Sequence, residues 1–181
     1  MKVCTRRFNL YLALIAAVMF LGGCQTAGKH QSEKLAAGLR IYLQVSSDEA
    51  GDMTMGQTIS VLRSNPVLVT IGRDPILTEA HIFAAKVINT PGGFAIEIQF
   101  DETGAAMLEQ YSAANPGRYF AIFGEWDEKP VKTRWLAAPL ITHRIANGVL
   151  SFTADCSREE ADQFVRGLNN AAAKNRKGEL K

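Results

Sequence analysis

The stretch PGGFAIEIQFDETG, residues 91–104, decides the class of fold. Phe94, Ile96, Ile98 and Phe100 fall on one face of an extended chain, and Ala95, Glu97 and Gln99 on the other. That two-residue period marks a strand with one buried face. Pro91, Gly92 and Gly93 supply the turn that enters it. Asp101 or Thr103 then caps a helix with Ala105, Leu108 and Tyr111 at helical spacing, which stops at Asn115, Pro116 and Gly117.

Working outward, Leu39 to Val45 alternates as a half-buried strand, with Ile41, Leu43 and Val45 opposite Arg40, Tyr42 and Gln44. Ser46 to Gly56 reads as a loop. Gln57 to Arg63 and Val67 to Ile71 read as strands joined by a turn at Ser64, Asn65 and Pro66. Thr78 is expected to cap a short helix running through Ala85, with Pro75 ahead of it and Ile82 and Phe83 on its apolar side. Tyr119 to Gly124 is apolar throughout, as in a central strand covered on both faces. Val131 to Leu136 and Pro139 to Ile145 are further strand candidates, separated from Tyr119 to Gly124 by a charged turn at 125–130. Asn147 and Gly148 tolerate positive φ and predict a hairpin turn leading into Val149 to Thr153. Ser157 with Glu160 forms a capping box for a last helix, whose Ala161, Phe164, Val165 and Leu168 make one apolar stripe. The pattern predicts an α+β domain over 37–173, with a mainly antiparallel sheet, helices packed on one face, and a frayed basic tail at 174–181.

The amino terminus speaks to location. Lys2, Arg6 and Arg7 precede an apolar run from Leu10 to Phe20, and Leu21, Gly22, Gly23 and Cys24 close it as a lipobox. The run to Gly23 is about 14 residues, short of the roughly 20 a spanning helix needs. The expectation is a lipoprotein signal over 1–24, cleaved before a Cys24 that carries a thioether-linked diacylglyceryl group and fatty-acyl chains of the palmitate class. A plain signal peptide and an uncleaved anchor are the alternatives. Residues 25–36 are polar and read as a tether. The protein would then sit lipid-anchored on the periplasmic side of a bacterial envelope. Gln25 after the cysteine favours the outer membrane if the source is Gram-negative.

Removing the leader takes three of the 20 basic residues and none of the 18 acidic ones, so the mature chain has 17 against 18, or net −1. Without a basic excess there is no electrostatic footprint for nucleic acid. The cluster Lys174, Arg176, Lys177 and Lys181 is either plain tail or a lipid-headgroup contact. Cys156 is the one unmodified cysteine of the mature chain and excludes an intrachain disulfide. His30, His81 and His143 lack the spacing of a zinc site. The acid pairs Asp101–Glu102 and Glu159–Glu160 sit at helix starts, where carboxylates complement the dipole. No phosphate loop or nucleophile elbow occurs, so no cofactor, metal or catalytic residue is expected. An enzymatic reading would need Cys156 or His143 to meet a second polar group in a pocket. Trp126 and Trp135 flank the charged turn and are the candidate binding residues, unless one or both fold back onto the sheet.

From Leu77 to Ala173 the chain resembles the head region of the first periplasmic domain of SecD, a membrane component that assists bacterial protein export. The likeness lies in Ile76 to Ala80; in IEIQFDETG at 96–104; in Asn115, Gly117 and Tyr119 to Phe123; and in Ala138, Pro139, Asn147, Gly148, Phe152 to Ala161 and Leu168. The strands before Leu77 show no matching motif. The resemblance implies a head-like α+β fold of ferredoxin-like character, and contact with unfolded polypeptide or translocase components. It does not carry over proton-coupled work, which in SecD relies on charged residues within transmembrane helices. The resulting expectation is a non-catalytic envelope lipoprotein that binds protein or peptide in protein export. The alternative is a structural or interaction role in another envelope assembly.

Overall fold

The computed structural model describes residues 36–46, 56–62, 64–126 and 131–179. They all belong to the unit Lys34–Lys181. The order is β1 (Ala37–Leu43), β2 (Gly56–Val61), β3 (Val67–Gly72), β4 (Leu77–Thr78), a 3-10 turn (Glu79–His81), β5 (Ile82–Thr90), β6 (Gly93–Phe100), α1 (Glu102–Ala114), β7 (Phe120–Trp126), β8 (Lys132–Ala137), β9 (Val149–Phe152) and α2 (Arg158–Glu179). The strands form three sheets, ordered β4-β1-β7-β8, β5-β6-β9 and β2-β3, and their pairings are antiparallel.

The stretch 91–104 behaves as its pattern predicts. Ile96, Ile98 and Phe100 are buried, and Gly93 enters the strand at φ +139, a backbone state that side chains disfavour. Asp101 caps α1 by accepting from the Gly104 N–H at 2.7 Å. Gly104 is required for space as well: a Cβ there would lie 2.8 Å from the His81 Cβ and 3.1 Å from the His81 carbonyl oxygen.

The large core lies between the inner face of the four-stranded sheet, the three-stranded sheet and α2. Leu39 and Ile41 of β1, Phe120, Ile122 and Trp126 of β7, and Ile96 and Ile98 of β6 meet Ala161, Phe164, Val165 and Leu168 of α2 there. The predicted apolar stripe of the last helix is therefore the face it buries. Burying a phenylalanine or leucine contributes roughly 1.5–3 kcal/mol, so this stripe holds helix to sheet. Two glycines permit the approach. At Gly124 a Cβ would stand 2.5 Å from a Leu136 methyl, and at Gly167 2.6 Å from the Ala37 Cβ.

Helix α2 also closes the edge of β5. Asn169 accepts from Ala85 N–H and donates to its carbonyl, both at 2.9 Å, standing in for a neighbouring strand beside the register shift between Ile82 and Ala84. An uncovered edge would invite pairing with another chain.

Four expectations are corrected. Thr78 caps only the 3-10 turn, through Ala80 N–H at 3.4 Å, and Ile82 to Thr90 is a nine-residue strand rather than a helix ending at Ala85. Pairing with β6 and cover by α2 override the helical propensity of its alanines. Pro139 to Ile145 is not a strand. It makes one bridge, Tyr119 with Leu140, and continues as a strap whose Ile145 N–H donates to the buried Ser112 hydroxyl of α1 at 2.8 Å. The Asn147–Gly148 turn exists, with Gly148 at φ +65, but forms no hairpin, because β9 pairs with β6 from Gln99–Val149 to Ile96–Phe152. Of the basic segment after Ala173, residues 174–179 continue α2 rather than forming a separate tail, while 180 and 181 lie outside the described residues. Tyr119 to Gly124, by contrast, is the central strand expected, with β1 and β8 on either side.

Candidate functional site

Residues alternate across the four-stranded sheet, so its second face is built from the partners of the core residues. Tyr42 follows Ile41 on β1, Ala121 and Phe123 flank Ile122 on β7, and Trp135 precedes Leu136 on β8. Tyr42 sits opposite Ala121, whose methyl is small enough for the rings of β1 and β8 to meet across β7. Tyr42 and Trp135 touch edge-to-face with centroids 5.6 Å apart, and Phe123 and Trp135 at 5.1 Å. The Arg40 guanidinium lies 5.9 Å above the Phe123 ring and pairs with Glu125 at 3.7 Å.

The β2–β3 hairpin covers part of this face. Ile59, Val61, Val69 and Ile71 bury against Ala121, with Tyr42, Tyr119 and Trp135 at the margin. Val45 N–H donates to the Thr70 carbonyl at 2.9 Å, and Gln44 bridges Ile71. Where hairpin and sheet diverge, a groove of about 330 Å³ opens, lined by Tyr42, Gln57, Gly72, Arg73 and Trp135 among others. Half-buried rings beside a guanidinium and an amide offer stacking and hydrogen bonding to an extended chain.

The two tryptophans diverge. Trp135 lines the groove. Trp126 is 1% exposed and packs on Phe164 at 5.6 Å, so its ring fills the core and presents nothing to a partner. The charged turn between them, 127–130, lies outside the described residues, as do Cys24 and His30.

The other face carries an ionic clasp that the sequence disclosed only as a capping box. Glu160 accepts from Ser157 N–H at 2.9 Å, from Arg134 at 3.1 Å and from Lys132 at 3.2 Å, tying β8 to the start of α2. Burial pushes its carboxyl upward, but the Ser157 N–H, Arg134 and Lys132 outweigh it and hold the pKa at about 2. Arg134 also donates to the Asp155 carbonyl at 3.0 Å, and Asp155 N–H donates to Leu136 at 2.7 Å. This end of β8 is thereby covered. Finding the clasp from sequence would have required knowing that β8 runs beside the helix start.

The titratable groups considered for chemistry are scattered. His81 accepts from Thr78 N–H at 3.3 Å in its own turn. His143 lies on the exposed strap beside Thr142, and Cys156 is half-buried against the large core. Among the described residues no group of three or more His, Cys, Asp or Glu is placed to hold a metal. No helix among them is long and apolar enough to cross a membrane.

A family model described as SecDF, P1 head subdomain, matches residues 52–172. The match starts before Leu77 and so takes in the β2–β3 hairpin, where the sequence showed no motif. A solved structure described as a membrane component SecDF that enhances protein export is similar with a TM-score of 0.52 and 18% identity, over 80% of this chain and 71% of that one. A crystal structure of SecDF in a super-membrane-facing form is similar with a TM-score of 0.50 and 18% identity, over 75% of this chain and 19% of that one. This chain thus spans about a fifth of that protein's length. No curated protein matches by sequence. At such identity the structural likeness shows the fold: α+β, mostly antiparallel sheets and two helices.

Proposed function

The chain belongs to the SecDF P1 head subdomain family, and from that premise we propose that it is a non-catalytic module that contacts protein or peptide in protein export, held to the envelope by lipid on Cys24. The observation that carries the reading is the ring cluster of Tyr42, Phe123 and Trp135, in which Tyr42 and Trp135 line the 330 Å³ groove and Phe123 packs against Trp135. Aromatic side chains supply most of the energy at protein interfaces, and an unfolded polypeptide offers apolar side chains and unpaired amides together. The binding residue in this reading is Trp135; Trp126 belongs to the core on the opposite face of the sheet.

Fluorescence anisotropy with a reduced, alkylated and therefore permanently unfolded polypeptide tests the idea. The protein should bind it above an unrelated lipoprotein, and Trp135→Ala should weaken binding about tenfold. Equal signal from the unrelated lipoprotein removes the proposal. Anchoring is tested separately: in a high-salt wash, which screens surface charge contacts, the wild type should stay in the membrane fraction and Cys24→Ala should leave it, and equal behaviour of the two argues against a lipid on that thiol.

A further inference from the structure

We propose that the carboxy-terminal end of α2 rests on an anionic lipid surface through Lys174 and Lys177, beside the point where the chain enters the body. Three observations meet there. First, a groove of about 590 Å³ has Ala36 and Ala37 on one wall and Lys174 and Lys177 on another, so the first described residues and the two lysines share one end of the molecule. Second, the contact is held in place. Gly167 lies close on Ala37, and Glu79, which lines the same groove, accepts from Leu39 N–H at 3.2 Å. Third, the lysines are available. They stand three residues apart on one helix face, both are exposed, and neither is ion-paired among the described residues. Arg176 turns away, donating to the Phe83 carbonyl at 2.9 Å with its guanidinium 5.0 Å over the Phe83 ring.

Favourable interaction with the helix dipole is a reason for cations in a last turn, but it does not require them to line a groove with the start of β1. The length of chain adds a constraint. Residues 25–36 reach at most about 40 Å fully extended, so lipid on Cys24 would keep this end near the headgroups at high effective concentration. The segment 34–181 has 16 basic and 17 acidic residues, net −1, so its affinity for an anionic surface has to come from a local patch. The orientation rests on the anchored reading above; the affinity of the patch does not.

The segment Lys34–Lys181 contains both apolar clusters and every described strand, so it serves as a body without Cys24. It should bind vesicles containing phosphatidylglycerol, ignore vesicles of phosphatidylcholine alone, and release as salt rises. Lys174→Ser with Lys177→Ser should cut that binding roughly 30-fold. Lys86→Ser with Arg144→Ser makes the same change in net charge and should leave it within about twofold. Absence of any preference for phosphatidylglycerol, or an equal loss in both double variants, overturns the proposal. Because the body lacks Cys24, either result leaves the anchor open to its own test, and an unmodified amino terminus in the intact protein would leave the vesicle result standing.

Discussion

One four-stranded sheet carries two apolar clusters, and its faces are built to different standards. On the inner face, large side chains of β1, β7 and β8 meet a 22-residue helix and a second sheet. On the outer face, a two-stranded hairpin buries Ile59, Val61, Val69 and Ile71 against a single alanine, Ala121, and is finished by half-buried rings. The hairpin turn also holds Leu62 at φ 69, a conformation that costs a residue with a Cβ about 1–2 kcal/mol. The inner face supplies the stability that lets the outer face keep aromatic rings at a groove. Binding surfaces are commonly drawn from the less stable parts of a fold carried by a stable one.

The largest test of this contrast removes Phe164, the helix ring against Trp126. Phe164→Ala should cost about 3–5 kcal/mol, read by denaturant unfolding. A loss below 1 kcal/mol would mean that the inner face does not hold the fold together.

A smaller effect is expected at the clasp. The Glu160 carboxyl is held at about 2 in the folded chain against 4.5 for an ordinary glutamate, so its contribution is complete above about pH 4.5 and disappears as pH falls from there toward 2. Glu160→Gln should cost on the order of 2 kcal/mol at neutral pH and flatten stability against pH across that window. Acid unfolding curves that stay parallel for variant and wild type would show that β8 is not tied to α2 through this carboxylate.

The smallest effect sharpens the comparison most. Val69→Ala should cost about 1–2 kcal/mol and speed hydrogen exchange in β2 and β3 while leaving β6 and β7 protected. If β6 amides accelerate equally, hairpin and core unfold as one unit and the two faces are not energetically distinct.

Much of the architecture is legible in local patterns. The alternation from Phe94 to Phe100, the Asp101 cap, the Ser157–Glu160 box and the stripe of α2 recur in the structure because each depends on neighbours within a few residues. The failures all involve partners far along the chain. Ile82 to Thr90 looks helical until β6 and α2 are placed beside it. Val149 to Phe152 was expected to fold back on 139–145, but its partner lies some fifty residues earlier, and the intervening strap is claimed by Ser112 and by Arg144 with Glu109. Of the candidate site, Trp135 was legible as a residue, whereas its companions Tyr42 and Phe123 come from other strands and carry no local sign of a shared surface.

The two tryptophans show where the boundary lies. Local pattern put Trp135 on a strand and Trp126 in the charged turn beside it, because residue type and period are local properties, whereas in the fold Trp126 ends β7. Which of them faces the helix was decided only in the folded sheet, by the register of β7 against β8 and its shift between Ile122 and Phe123. A single step of register carries a side chain from one face to the other.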